Sequence, residues 1–232
     1  MAAGVCSEGR SDEDLDIRRY AIALLYEFFT KKGSSIEVED FGLMLRRIFQ
    51  HIDRHINDEW EDSVEGLDLT LAVAEASRLH AARCGEGDLF IFRDGEAWSL
   101  FEDMGEGAPL LGKGSPKKAH QADAGLQPGD ILVLCNPAVA SVTKSRDITL
   151  ILRRASDPPK ASLFLSAIAE RKGAEGPLTA LIWEVPNLQG AAILTEDSLS
   201  APQAEPAEED LEEEGADQAK RHWLNLWRRR KS

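Results

Sequence analysis

The sequence predicts an α+β fold built on antiparallel sheets. Residues 12–32 and 39–60 repeat apolar side chains at helical spacing, which indicates two amphipathic helices. Between residues 67 and 135 the pattern changes to short apolar runs separated by glycine and proline, as in a meander of strands. Two more helical segments and a last strand follow. Helices and strands grouped in this way, without strict alternation, are typical of antiparallel sheets.

Capping and turn residues support the elements predicted in the first half of the domain. The acidic side chain of Asp12 lies in the first turn of the first predicted helix, where the helix dipole favours anions, and Gly33 is its predicted stop. Leucines alternate with smaller residues in 67–76, which predicts a half-buried strand. Asp94 and Gly95 predict a tight hairpin turn between two further strands.

Turn and capping residues also delimit the elements predicted in the second half of the domain. Residues 117–124 and 130–135 are predicted strands on either side of a Pro-Gly turn. A helix capped by Ser145 follows, and Pro158 opens another. The run 178–185 predicts the last strand.

Composition excludes several classes of protein. The chain has 232 residues, of which 43% are hydrophobic, so a large core can form. A net charge of −14 argues against nucleic acid as the main partner, because phosphates repel an acidic surface. The cysteines are few and far apart, and the first residues lack the apolar run of a secretory signal. We therefore expect a reduced, cytoplasmic protein, with peripheral membrane contact as an option.

The charge pattern predicts three regions. Residues 1–190 have the composition of a globular domain. Residues 191–218 are rich in acids, alanine and proline, which predicts a disordered linker. Residues 219–232 form a short basic tail that is amphipathic if helical.

The tail is a candidate contact surface. Its aromatic and aliphatic side chains fall together on one side of a helix, between clusters of arginine. Such a segment can bind an anionic membrane, grip the acidic groove of a protein partner, or fold onto the acidic linker. The predicted contact residues are Arg221, Trp223, Leu224, Trp227, Arg228, Arg229 and Arg230.

Three segments in the first 190 residues resemble one family. "LHAARCGEGDLFIFRDGEAWSL", "LQPGDILVLCNPAV" and "GPLTALIWEV" resemble, in this order, motifs of the metal-dependent serine/threonine phosphatases of the PPM or type-2C family. The resemblance implies a sandwich of two antiparallel sheets with helices on both outer faces. It also implies a domain that is degenerate and shortened at its N-terminus. Enzymes of this family use two divalent metals, held by aspartates, to activate a water molecule.

The family's metal-binding aspartates do not carry over. They fall on Pro137 and Gly176, and another falls near Cys6, whereas Glu86 keeps an acid near an acidic position. Mg²⁺ and Mn²⁺ need oxygen ligands, which proline, glycine and cysteine side chains do not offer. The resemblance therefore implies a degenerate metal site at these four positions, with no catalytic residue and no cofactor.

Two sets of residues could replace the lost ligands. Asp88 and Asp130 are acids near strand ends, although Asp130 is better explained as the cap of a turn. The thiols of Cys6, Cys84 and Cys135 all lie near motif positions and could converge on zinc, but free cysteines are more often small buried hydrophobes. We expect the structural role in both cases.

The leading functional prediction is a pseudophosphatase, a catalytically inactive binding or regulatory module in signalling that acts through protein contacts. Candidate partners are a phosphoprotein, a kinase or an active phosphatase. The first alternative is an active serine/threonine phosphatase whose Mg²⁺ or Mn²⁺ is held by non-standard or partner-supplied ligands. The second alternative is an unrelated α+β adaptor with a membrane-surface tail.

Overall fold

Two four-stranded antiparallel sheets carry the fold in a computed structural model, which describes residues 2–8, 12–29, 41–60, 66–75, 77–105, 107–113, 119–155 and 157–186. The predicted linker and tail lie outside the described residues. Contacts group Met1–Gln189 as one unit. In chain order the elements are β1 (Ala2–Glu8), α1 (Asp12–Glu27), α2 (Phe41–Trp60), β2 (Asp68–Glu75), β3 (Arg78–Cys84), β4 (Asp88–Arg93), β5 (Glu96–Ser99), a 3₁₀ turn (Glu102–Met104), β6 (His120–Gly125), β7 (Ile131–Cys135), α3 (Pro137–Val142), α4 (Ser145–Arg154), α5 (Pro158–Arg171) and β8 (Ala180–Glu184).

Strand order follows the predicted antiparallel scheme. The first sheet has the order β1-β2-β3-β6 and the second has the order β5-β4-β7-β8, with every neighbouring pair antiparallel. The chain passes from the first sheet to the second between β3 and β4, and again between β6 and β7. Within the described residues, no helix is long and apolar enough to cross a membrane.

Three apolar layers hold the sheets and helices together. Side chains of β2 and β3 meet those of β4 and β7 in a layer between the sheets. A second layer joins α1 and α2 to the outer face of the first sheet. A third joins α3, α4 and α5 to the outer face of the second sheet. The predicted sandwich of two sheets flanked by helices is confirmed, and the alternative of a different α+β fold is wrong.

Strand β2 is buried more deeply than its alternation predicts. Leu69, Leu71 and Val73 lie under α1 and α2, as expected for the apolar face of a strand. The opposite face is also buried, because Ala72 and Ala74 pack between the sheets. Alanine is small enough to let the sheets approach each other. The second face of β2, which is only weakly apolar in sequence, is therefore covered by the opposite sheet. The prediction of a half-buried strand was wrong.

Strand β1 and helix α3 were not predicted, and the N-cap of α4 differs from the predicted one. Residues 2–8, where no strand is predicted, form β1 and pair along β2. The short helix α3 begins directly after β7, with Asn136 as its N-cap and Pro137 at its first position. Ser145 is the first helical residue of α4 rather than its cap, and the backbone N–H of Lys144 donates to Asp147 instead (2.9 Å).

Asp130 has the structural role that the sequence predicts. Its buried carboxylate accepts hydrogen bonds from the Arg93 guanidinium (2.7 and 2.6 Å) and from the backbone N–H of Gln127 (2.7 Å). Burial by itself would raise the pKa of Asp130, but these hydrogen bonds and the Arg93 charge lower it overall. The predicted hairpin turn next to Arg93 is confirmed, with φ of 53° at Asp94 and 84° at Gly95.

Asp130→Asn should destabilise the full chain by about 2 to 3 kcal/mol, because it leaves the partly buried Arg93 without its anion. The folded pKa of Asp130 is below the unfolded value of about 3.9, so this stability is present above that pH and is lost as the pH falls through the folded pKa. Urea unfolding at pH 7 and in acid measures both effects. Glu175→Gln, at an exposed carboxylate, is the control. Equal midpoints for the two variants at pH 7 would contradict the expected result.

Candidate functional site

The strand ends that carry the predicted site positions lie at one end of the sandwich. In the first sheet, Asp68 at the start of β2 pairs with Glu8 at the end of β1. In the second sheet, Asp88 at the start of β4 pairs with Cys135 at the end of β7, which in turn pairs with Ala180 at the start of β8. The short turn 85–87 links the two sheets here. We call this end, with the segments that leave it, the site edge.

All four predicted metal-site positions reach the site edge. Cys6 lies in β1 opposite Thr70, although its side chain is outside the described part of the structure. Glu86 is in the turn between the sheets and its side chain is exposed. Pro137 opens α3 directly after β7, and Gly176 precedes β8 with a φ of 92°. Of these positions, only Glu86 has a carboxylate.

A buried carboxylate lies directly beneath the turn. Asp68 is 6% exposed, and its Oδ2 accepts a hydrogen bond from the backbone N–H of Glu86 (2.5 Å). The turn has no room for side chains at its flanking glycines. A Cβ at Gly85 would lie 1.8 Å from Asp68 Oδ2, and a Cβ at Gly87 would lie 2.3 Å from Thr70 Oγ1. Asp68 therefore supports the backbone of the turn.

A loop closes the turn from the other side. The backbone N–H of Gly85 donates to the carbonyl of Ala108 (2.7 Å). Leu67 and Leu111 exchange two backbone hydrogen bonds (2.9 and 3.0 Å), which fix the loop to the entry of β2. A Cβ at Gly107 would lie 2.6 Å from the carbonyl oxygen of Gly85. The turn is thus enclosed by Asp68 on one side and by this loop on the other.

Arg83 carries the buried positive charge of the site edge. Its residue is 6% exposed, and its guanidinium donates to the carbonyls of Gly87 (3.1 Å) and Gly105 (3.4 Å). It also lies 3.3 Å from Nδ1 of His120 and 4.7 Å from the centre of the Phe101 ring. These contacts hold the guanidinium within the protein instead of presenting it to a ligand.

Burial and the neighbouring charges shift the pKa of Arg83 in opposite directions. Burial lowers the pKa of Arg83, whereas the carboxylates of Asp88, Asp68 and Glu86 raise it. Burial and the Arg83 charge both lower the pKa of His120, so its ring is held in the neutral form. Neutral His120 can accept the Arg83 hydrogen bond at Nδ1. The acids therefore balance one buried cation of the protein.

Asp88 has its own protein partners. Burial raises its pKa, and hydrogen bonds from Ser99 Oγ (2.7 Å) and the backbone N–H of Leu89 (2.8 Å) offset part of this rise. Oδ1 of Asp88 thus accepts two hydrogen bonds from within its own sheet. This environment favours the structural role that we expected for Asp88.

A neutral amide joins the two segments that lack carboxylates. Asn136 is 1% exposed, and its Nδ2 donates to the carbonyl of Pro177 (2.7 Å). Its Oδ1 accepts from the backbone N–H of Thr179 (3.1 Å). These bonds connect the residue before Pro137 to the segment that follows Gly176. Direct hydrogen bonds thus link the two segments without a cation.

Cys84 and Cys135, the two cysteines whose side chains the structure describes, do not converge on one site. Cys84 packs in the layer beneath α1 and α2, whereas Cys135 packs in the layer beneath α3, α4 and α5. The two thiols are therefore on opposite outer faces of the sandwich. Burial raises the pKa of the Cys84 thiol to about 12, so it is protonated near neutral pH. For these two residues, the expected role of small buried hydrophobes is confirmed.

Neither a family model nor a curated protein matches the sequence. Solved structures do. The serine/threonine phosphatase PstP/Ppp of Mycobacterium tuberculosis superposes with a TM-score of 0.61 at 16% identity, over 80% of this chain and 88% of that one. MsPP, a PPM Ser-Thr phosphatase of Mycobacterium smegmatis, gives 0.61 at 17% identity, over 79% and 88%. The chain has the fold of the PPM phosphatases. PppA of Pseudomonas aeruginosa gives 0.53 at 16% identity, over 78% and 84%.

The donors at the site edge do not fit the metal centre of a PPM phosphatase. The catalytic domain of PstP, 18% identical to this chain, is known in complex with two manganese ions. In this chain, Pro137 and Gly176 have no side-chain donor at the positions where the resemblance places aspartates. Among the described residues, no group of three or more His, Cys, Asp or Glu side chains could hold a metal. The side chains at these two positions lack the oxygen donors that such a metal centre uses.

Three residues that organise the site edge were missed from the sequence. Asp68 and Arg83 are charged residues at positions in phase with the inward face of their strands, where alanine and leucine precede or follow. Such a break in an apolar face is a signal of a buried charge. Asn136 could have been found as an N-cap before Pro137, but its bonds to Pro177 and Thr179 depend on the fold.

Gly85→Ala should destabilise the full chain by about 3 kcal/mol or more, because the new Cβ combines a positive φ with a clash against Asp68. Gly129→Ala is the matched control, since Gly129 also has a positive φ (87°) but no atom lies within 4 Å of its added Cβ. The control should cost about 1 to 2 kcal/mol. Urea unfolding gives both values. Similar losses in the two variants would show that Asp68 does not constrain the turn.

Cys84 should resist alkylation in the folded chain. Its thiol is buried and has a pKa of about 12, so both access and thiolate formation are suppressed at pH 7.5. We expect iodoacetamide to modify Cys84 at least about a hundred times faster in urea than in native buffer. Peptide mass spectrometry resolves the individual cysteines. Rapid native modification of Cys84 would contradict its position in the layer beneath α1 and α2.

Proposed function

We propose that the chain is a pseudophosphatase, a module with a PPM fold that binds other proteins and does not hydrolyse phosphate esters. One observation carries this proposal. At the site edge, Pro137 and Gly176 lie where the resemblance places aspartates, and the amide of Asn136 joins their segments by hydrogen bonds. A fold likeness alone does not establish an activity, so the chemistry of the site decides.

The absent carboxylates matter because of what a bound metal supplies. A divalent cation lowers the pKa of a bound water far enough to give a nucleophile near neutral pH, and it also neutralises charge in the transition state. Hard cations require several oxygen ligands around one point. Asp68 is enclosed beneath the turn, and Asp88 is hydrogen-bonded to Ser99 and Leu89. Oδ2 of Asp68 and Oδ1 of Asp88 therefore already accept hydrogen bonds from the protein, which supports a structural role for both acids.

The proposed partners are proteins. A phosphoprotein, a kinase or an active phosphatase fits a module that keeps the fold of a phosphatase without its metal ligands. PppA of Pseudomonas aeruginosa is described as a key regulatory component of a type VI secretion system, and this supports a regulatory role by analogy only. We place the protein in the cytoplasm. The contacts of the tail 219–232, with membrane or with protein, stay a prediction.

The second candidate function is an active phosphatase with unusual ligands. Glu86 favours it, because its exposed carboxylate lies at the edge where the resemblance expects an acid. In this case the other oxygen donors would come from residues outside the described part of the chain or from a partner. Glu86 is thus the residue whose substitution separates the two candidates.

The chain should neither hydrolyse p-nitrophenyl phosphate with Mn²⁺ or Mg²⁺ nor release heat with either ion in calorimetry. The reason is the lack of oxygen donors at positions 137 and 176. Glu86→Ala should leave this result unchanged. Metal-dependent turnover that is abolished by Glu86→Ala, but retained by Glu102→Ala at another exposed acid, would establish the active phosphatase instead.

A further inference from the structure

Apolar side chains are exposed on the outward faces of α4 and α5. Leu150 is 43% exposed, Leu163 is 70% exposed and Phe164 is 45% exposed. The opposite faces of both helices are packed on the second sheet, so neither helix can rotate to bury these side chains. We call this surface the α4–α5 face and define it by Arg146, Leu150, Arg154, Lys160, Leu163 and Arg171.

Both helices repeat the same order of residues along this face. On α4, Leu150 lies four residues after Arg146 and four residues before Arg154, so the three form one stripe. On α5, Leu163 lies between Lys160 and Arg171, at spacings of about one and two helical turns. Each helix thus presents an apolar side chain between two basic residues, of which Lys160 is ion-paired with Asp157 (3.4 Å).

The charge of this region is opposite to that of the chain. Residues 144–172 contain seven Lys and Arg but three Asp and Glu, whereas the whole chain has a net charge of −14. Lys172 forms an ion pair with Asp147. Arg146, Arg154 and Arg171 form no ion pair with other described residues. Their charge is therefore available to an anionic partner.

We propose that the α4–α5 face binds an acidic, amphipathic segment of a partner protein. The segment would place an apolar side chain against Leu150 and Leu163, with Asp or Glu on either side. The distance along α4 from Arg146 to Arg154 is about 12 Å, which two carboxylates about two helical turns apart on the partner would match. This inference rests on the proposed function, because it names the class of protein that the module binds.

The interspersed acids favour a protein over a membrane. Asp147, Asp157 and Glu170 separate the basic residues of this region, whereas binding to anionic lipid relies on a dense cluster of Lys and Arg. A helix that binds in the membrane interface also buries its apolar face in the lipid, whereas α4 and α5 use that face on the sheet. On a protein partner, burial of the leucines supplies affinity and the charges supply orientation and rate of association.

Fluorescence anisotropy of the full chain with a labelled peptide tests the inference. The probe is a helical peptide of about 18 residues, with leucine on one face and glutamate about two turns apart. A peptide of the same composition in scrambled order is its control. The helical peptide should bind at least tenfold more tightly, and its binding should weaken as salt screens the charges.

Leu163→Ser and Arg154→Glu should each weaken peptide binding by about tenfold. Leu43→Ser and Arg47→Glu, at an exposed leucine and an exposed arginine of α2, should leave it unchanged. All four side chains are exposed, so urea midpoints should match that of the parent chain. Unequal midpoints would be resolved by comparing binding at temperatures where every variant is fully folded.

Three outcomes would overturn the inference. The first is equal peptide binding by the α4–α5 variants and the α2 variants, or no preference for the helical peptide. The second is binding to phosphatidylcholine–phosphatidylserine vesicles, lost in Leu163→Ser, without peptide binding. The third is self-association of the chain that the same substitution removes. None of these results changes the hydrolysis and calorimetry measurements, so this inference and the proposed function fail separately.

Discussion

The turn between β3 and β4 is the constraint on which both sheets depend. Within Gly85–Gly87 the chain leaves the first sheet and enters the second, so the separation of the sheets at the site edge is set there. The turn is held by the buried carboxylate of Asp68, which accepts the Glu86 N–H (2.5 Å). Burying a carboxylate is costly unless it is hydrogen-bonded, and the two glycines that flank Glu86 let the backbone approach it. The carboxylate and the turn therefore stabilise each other.

Hydrogen bonds and charge balance within the protein hold the site edge together. Several carboxylates close together in a poorly solvated site repel one another unless cations lie between them. In this chain Pro137 and Gly176 contribute no charge, and Asn136 links their segments through a neutral amide. The remaining acids balance Arg83. The described contacts that join these two segments are therefore neutral hydrogen bonds, and the buried charges of the site edge are balanced within the protein.

The order of helices and strands could be predicted because it depends on local periodicity and turn chemistry, as at Asp94 and Gly95. The stacking of two sheets came from the family resemblance. The complete burial of β2 could not be predicted, because its second face consists of small residues that only the opposite sheet covers. The short helix after Asn136 has too few residues to show a period. The partners of Arg83 are distant in sequence, so its role required the fold.

The packing of the fold also determines which surfaces are exposed to a partner protein. The inner faces of both sheets and of all the helices are packed in apolar layers, and Arg83 at the site edge is bonded to the protein itself. Outward residues of α4, such as Leu150 and Arg154, make no contribution to those layers. Substitutions there change charge and exposed apolar area at little cost to folding, since surface changes are usually within about 0.5 kcal/mol. The outer helices of this fold can therefore carry a binding surface that does not depend on the chemistry of the site edge.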